Sequence, residues 1–433
     1  MNKKLLLILL LALILRLISL NQSLWLDEGI QWWAVTTFPL KHLITEYIRG
    51  DFNPPLFHTI LYFWVKLFGD SEIALRLPSV LFGLGTVYFV HKIGGLKAAL
   101  LAATAPLLIY YSQEARMYSL AAFTATAAMY FLITKRSIPY IISVILMLYS
   151  HYLTWLLIPA LLVLHLLPTL LALIFIVPWL PIMWQQLNQG LGAATNPAWA
   201  SLSSLSLKSI LLVPVKFLIG RLPVEANLFY ALILLPPLCL SAYLIFKARH
   251  KLLYSWLFTP LVLGASISLK VPLFTYFRFL FVLPAFYLLL IMGASKTKHF
   301  KLLMGIFIGI NLLATGRYLI DTNLHREDWR SAVAYIHAQP APIVIYSAVR
   351  SPFEYYDRRE SVQLSETSLD QLIGKPEVWY ISYAQPIFDP ENKVGTTLDQ
   401  LGFTEISTRH FRGVTVTRFQ NPKYDYFSLI PSR

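Results

Sequence analysis

The chain has 433 residues, 57% of them hydrophobic and only 13% charged, with a formal net charge of +14 and a mean hydropathy of +0.59. These values exclude an ordinary soluble domain. The basic residues are scattered among short segments flanking apolar runs, which points to anionic lipid and away from nucleic acid. A single cysteine, Cys239, leaves no intramolecular disulfide and no thiolate cluster.

From the N-terminus, Lys3 and Lys4 precede an apolar run with no small-residue cleavage site after it, so the run reads as an uncleaved first helix. Apolar stretches able to cross roughly 30 Å of hydrocarbon then recur to about Tyr318. The count is about eleven spans, near 4–20, 73–91, 97–111, 118–134, 138–150, 153–167, 169–184, 226–246, 252–268, 274–293 and 302–318. With helices alternating, Lys3/Lys4, Lys92/Lys97, Lys135/Arg136, Lys247/Arg249/Lys251 and Lys296/Lys298/Lys301 share one side. The Lys/Arg rule makes that side cytoplasmic. The N-terminus is then inside, in a plasma (inner) membrane, and the C-terminal residues lie outside. All the acids before residue 321 (Asp27, Glu28, Glu46, Asp51, Asp70, Glu72, Glu114 and Glu225) fall on the outer side.

The expected organisation is a transmembrane module over 1–320, whose first external loop, 21–72, carries the adjacent acids Asp27 and Glu28, and a small α/β domain over 321–433. Within the loop, Pro54-Pro55 starts an aromatic segment, Leu56 to Phe68, that suits an interfacial helix better than a crossing. Gln185 to Lys208, rich in Gln, Asn, Gly, Ala and Ser, reads as a mobile external connection, and Lys208 to Gly220 as a second interfacial helix. The C-terminal domain shows a helix over 328–338, strands over 343–346 and 378–382, a helix near 397–401, and two terminal strands over 405–411 and 414–419.

Four motifs occur in order: Leu24-Trp25-Leu26-Asp27-Glu28; Asn53-Pro54-Pro55-Leu56-Phe57; Ser71-Glu72 through Arg76, Pro78 and Ser79; and Tyr111-Ser112-Gln113-Glu114-Ala115-Arg116-Met117-Tyr118. The series resembles the family 39 membrane glycosyltransferases, relatives of protein O-mannosyltransferases and of the aminoarabinose transferase of lipid A. The resemblance is strong through about residue 152, and Glu327-Asp328-Trp329-Arg330 is similar to bacterial and archaeal members. It implies a GT-C architecture and transfer of a sugar from a polyprenyl phosphate to a glycan, lipid or protein acceptor on the non-cytoplasmic face. It also implies Asp27 as the catalytic acid and independence of metal or any other cofactor.

The chemistry such a transfer needs can be assigned to residues. A phosphate monoester, with a second pKa near 6, departs without a general acid, so one carboxylate base for the acceptor proton suffices. Asp27 is the candidate base, with Glu28 as its catalytic neighbour on a different helical face. The two acids are equally accounted for as the N-terminal cap of an interfacial helix. Arg116 and Arg278, with Tyr111, His151 and a further candidate in Arg221, are the donor phosphate and lipid contacts; snorkelling and interface anchoring are the alternative roles of these arginines. His58, Glu114, Tyr118 and Tyr152 are substrate-binding candidates. The external loop shows no Asp-x-Asp or His-x-x-x-His spacing for a metal. Two other functional classes fit a polytopic chain: a lipid-linked saccharide polymerase or ligase, and a transporter or flippase. Acids lining the outer rim rather than the bilayer midplane suit one-sided chemistry better than alternating access.

Overall fold

The computed structural model describes residues 2–193, 197–225, 227–339, 341–357, 359 and 361–424. They divide into two compact units, one within Met1–Leu20 and Phe38–Leu324, the other within Asn21–Thr37 and His325–Arg433. The first part of the expected external loop thus clusters with the C-terminal residues. Leu26 joins their apolar core, and Gln22, Ser23 and Leu24 bond to Arg326, Arg330 and Tyr356.

The first unit is helical. Asn2 caps helix α1 (Lys3–Leu17) by accepting the Lys4 N–H at 3.0 Å. The carbonyls left over at the other end of α1 are satisfied from distant motifs. Gln113 Nε2 donates to Arg16 O (3.1 Å) and Ile18 O (2.7 Å), and Arg76 Nη1 donates to Leu20 O (2.8 Å). Buried Arg16 donates from Nε to Ser112 Oγ at 3.1 Å. Gly83 faces this junction, and a Cβ there would lie 2.1 Å from Ser112 Oγ.

Each of the eleven apolar segments carries helix. Among the described residues four helices are long and apolar enough to cross a membrane: Glu72–Thr104, Leu228–Ala248, Tyr276–Ser295 and Phe300–Ile320. The pair Leu166–Ile174 and Val177–Gly192, bent by 43°, makes a fifth if taken as one span. Tyr118–Ile133, Ser137–Leu148 and Tyr152–Leu164 are apolar but shorter, as is Leu56–Phe68. The expected span over 97–111 is broken, because helix Glu72–Thr104 ends within it and a new helix starts at Pro106, whereas the kink at Gly95 (φ 79°) falls in the expected gap between spans 73–91 and 97–111. The break is closed by polar groups of helix Phe300–Ile320: Asn311 Nδ2 donates to Leu101 O at 3.1 Å and Thr315 Oγ1 to Thr104 O at 3.2 Å. Leu228–Ala248 leaves Leu228, Leu232 and Phe246 between 63% and 74% exposed, an apolar surface suited to lipid. These helices define a membrane protein.

The Gln185 to Lys208 stretch is not an irregular loop. Helix Leu180–Ala193 runs into it and Pro197–Ser203 follows, with 194–196 outside the described residues. Its polar composition reflects an amphipathic helix, whose Gln186 side chain is buried and bonded to Ile48 O and Asn53 O. Leu207–Ile219 is helical as expected and begins with a Ser206/Ser209 capping box.

The second unit contains a five-stranded sheet ordered β2-β1-β3-β5-β4, with β1 Ile343–Ile345, β2 Gln363–Leu364, β3 Glu377–Ser382, β4 Thr404–Phe411 and β5 Val414–Gln420. β1 pairs in parallel with β2 and β3, whereas β5 is antiparallel to β3 and β4. Strand β2 is too short to show in the sequence pattern. Helices Trp329–Ile336 and Lys393–Gln400 bury Trp329, Val333, Val394 and Leu398 in the same core as Val344, Trp379 and Ile381. Helix α2 (Leu26–Thr37), which carries Asp27 and Glu28 in its first turn, packs on this unit. Gly29 lets it approach the segment at Pro352, where a Cβ would lie 2.6 Å from the backbone nitrogen. The last nine residues, 425–433, fall outside the described residues.

Candidate active site

In the first unit, the Tyr111 to Tyr118 motif splits its work. Ser112 and Gln113 turn inward to hold α1, while Tyr111, Glu114, Arg116 and Tyr118 build a buried polar and aromatic cluster. Tyr111 and Tyr118 pack ring to ring at 5.1 Å, and both pack on Phe277, at 5.9 and 5.5 Å. Tyr118 also meets the His151 ring at 5.7 Å. Arg221 Nη1 lies 3.4 Å from the Tyr111 hydroxyl, with its guanidinium over the Tyr110 ring. Glu114 is within electrostatic reach of Tyr111.

His151 sits in a break between two helices and accepts the Leu153 N–H on Nδ1 at 3.1 Å. Burial, with the charges of Arg278 and then Arg116, holds its pKa down to about 3. The imidazole is therefore neutral, and with Nδ1 an acceptor its proton is on Nε2. Both arginines are thus within electrostatic reach of His151. Arg278 is anchored by an Nη1 bond to Leu273 O at 3.2 Å.

Asp51 is an acid to which the sequence assigned no role. His58 Nε2 lies 3.1 Å from its Oδ2, and Asn53 Nδ2 donates to Oδ1 at 2.8 Å. Burial works to raise the Asp51 carboxyl, but the bond and charge of His58, the charge of Arg116 and the Asn53 bond outweigh it, so it stays well below the usual carboxylate range. Tyr152 accepts from Trp179 Nε1 at 2.8 Å and bonds to Gln186, whose amide reaches Asn53 O. The structure thus gathers Tyr111, Glu114, Arg116, Tyr118, His151, Tyr152, Arg278 and His58 about linked contacts in one unit, and adds Asp51, Asn53 and Gln186. Asp51 was legible as one of eight scarce acids, two residues ahead of the Asn53-Pro54-Pro55 motif.

Asp27 and Glu28 lie in the second unit. Glu28 is fully buried, its Oε2 3.9 Å from Arg326 Nε, whereas Asp27 is partly exposed. Beside them is Glu327, which the sequence quoted in a motif without a role. Its Oε2 accepts from Trp329 Nε1 (2.8 Å) and from the Leu26 N–H (3.1 Å), and its Oε1 from the Tyr383 hydroxyl (2.6 Å). Burial, with a smaller push from Asp27, outweighs these bonds and lifts the Glu327 carboxyl to about 7. No group of three or more His, Cys, Asp or Glu side chains able to hold a metal occurs among the described residues.

The described residues thus form a helical unit and a small α/β unit that carries the adjacent acids on α2, and solved structures share this fold. The chain is similar to ArnT from Cupriavidus metallidurans bound to undecaprenyl phosphate, with a TM-score of 0.57 and 13% identity over 95% of this chain and 97% of that one. The apo state of that aminoarabinose transferase gives a TM-score of 0.55 at 13% identity, with the same coverage. At this identity the likeness establishes the fold. No protein-family model matches the sequence, and no curated protein matches it significantly.

Proposed function

We propose that the protein is an inverting glycosyltransferase that moves a sugar from a polyprenyl-phosphate carrier to an acceptor hydroxyl or amine on the outer face of the plasma membrane, with mannosyl-type donors among the candidates. The observation that carries this reading is the convergence of Arg116 and Arg278 on a buried, neutral His151 beside a wall of aromatic rings. The fold supports it, since a structure of the same architecture holds undecaprenyl phosphate.

In this reading Arg116 and Arg278 neutralise the donor phosphate and His151 donates from Nε2 to one of its oxygens, adding a hydrogen bond without a third charge. Tyr111, Tyr118 and Phe277 offer ring faces to sugar or prenyl chain. Asp27 takes the acceptor proton while the acceptor attacks the anomeric carbon opposite phosphate, and the phosphate leaves as its dianion. Glu28, paired with Arg326, fixes the first turn of α2. His58, Glu114 and Tyr152 shape the substrate pocket around the arginines. No cofactor or metal enters the scheme, so chelation should leave turnover unchanged.

Binding of undecaprenyl phosphate to the protein in lipid nanodiscs tests the phosphate assignment. Arg116→Ala and Arg278→Ala should each weaken it by about ten- to a hundredfold, the value of one charge-assisted hydrogen bond. Affinities equal to the parent's in both variants would remove these arginines from the donor site.

A further inference from the structure

The α/β unit does more than follow the membrane helices: it builds the seat of the acidic helix. Three observations within this unit bear on that seat. Leu26 is part of its apolar core. Arg326 N–H donates to Gln22 Oε1 at 3.2 Å, and Arg330 holds Asn21 O at 2.8 Å and Ser23 Oγ at 3.2 Å, fixing the chain that leads into α2. Glu327 then meets the helix itself.

The first amide of a helix has no partner inside it. In α2 that amide belongs to Leu26, and Glu327 Oε2 accepts it at 3.1 Å. The carboxylate is held rigidly from behind, by Trp329 Nε1 on Oε2 and by the Tyr383 hydroxyl on Oε1. The turn after β4 closes over it, since a Cβ on Gly413, which has φ of +75°, would lie 2.7 Å from Glu327 Cγ. Asp27 follows Leu26 directly.

We propose that Glu327 is the positioning residue of the acidic helix: fixed by Tyr383 and Trp329, it holds the N-terminal amide of α2 and thereby sets the place of Asp27. The proposal rests on the transferase reading only where turnover is measured. The charged and titratable groups around Glu327 are Asp27 and Glu28 on α2, Arg326 and Asp328 on its own segment, Tyr383 after β3 and Arg412 in the β4 to β5 turn. Asp27 adds to the burial that lifts the Glu327 carboxyl to about 7.

The test uses the full chain in nanodiscs, with Glu327→Gln and Glu327→Ala beside the parent. Hydrogen exchange at the first turn of α2 reads position, and the split between kcat and KM, with rescue by the amide, reads its consequence for the chemistry. Glu327→Ala should speed exchange of the Leu26 amide about tenfold, the loss of one net hydrogen bond, and lower kcat about a hundredfold through misplacement of Asp27. Glu327→Gln keeps an acceptor for that amide. It should exchange like the parent, keep the donor KM, and recover kcat toward the parent's. Parent-like exchange in Glu327→Ala, or a Glu327→Gln variant as impaired in kcat as Glu327→Ala, would overturn the proposal. A parent inactive with every donor would sink the transferase reading, and the exchange comparison alone would still decide whether Glu327 positions α2.

Discussion

Gln113 shows how one side chain ties separate parts of a membrane unit together. Its amide nitrogen serves two carbonyls at the end of α1, and its oxygen accepts the Tyr318 hydroxyl at 2.9 Å. Gln113→Ala removes these three bonds and should cost about 1–3 kcal/mol, read as a lower unfolding temperature in detergent. Such a role was not legible from the motif, where Gln113 and Arg116 look alike as polar residues between apolar runs; only the far partners separate them. Asp51 illustrates the opposite sense of titration. Its folded pKa lies below the unfolded value, so its contribution to stability is present above the usual carboxylate range and is lost as pH falls through the folded pKa. Asp51→Asn should therefore flatten the loss of stability on acidification, and an unchanged acid-unfolding curve would show that the His58 pair does not stabilise the native state.

Among the elements, α2 is the one on which the proposed chemistry depends. The sequence marked its start through two adjacent acids after an apolar run, and the helix does begin at Leu26. What it did not mark was the partner, because the contacts that seat α2 come from residues about three hundred positions later. Gly29 makes the seat tight, and Gly29→Ala would press a methyl into the backbone at Pro352. That substitution should speed exchange across α2 and reduce turnover while leaving the unfolding of the membrane helices unchanged; full turnover would show that the close approach is dispensable. The transmembrane elements were legible by hydropathy, but their ends were not. Pro106 breaks an apolar stretch that composition alone reads as continuous, and the backbone groups freed there are met by Asn311 and Thr315, whose polar side chains look out of place in an apolar run until that break is seen.

At the scale of the whole molecule, composition was enough to place the chain in a membrane, since so apolar a chain with so few charged residues is not that of a soluble domain, and periodicity sufficed for four of the five strands. The division into units was less legible, because the chain leaves the first unit at Asn21, returns at Phe38 and leaves again at His325. A linear boundary near 320 captures only the last of these crossings. The α/β unit should also carry a pH signature. Glu327 has a folded pKa raised to about 7, so its proton stabilises the native state fully below the unfolded value, and this contribution is lost as pH rises from there through 7. Glu327→Gln should abolish that decline in a titration of unfolding temperature.

The central claim is catalysis by Asp27 on a polyprenyl-phosphate sugar, and it is tested most directly by sugar transfer from a panel of such donors to membrane-extract acceptors, comparing purified parent with a folded Asp27→Asn variant in nanodiscs. The account predicts turnover by the parent with at least one donor and a loss of about 10²-fold or more in the variant. Equal turnover in the two proteins would contradict it.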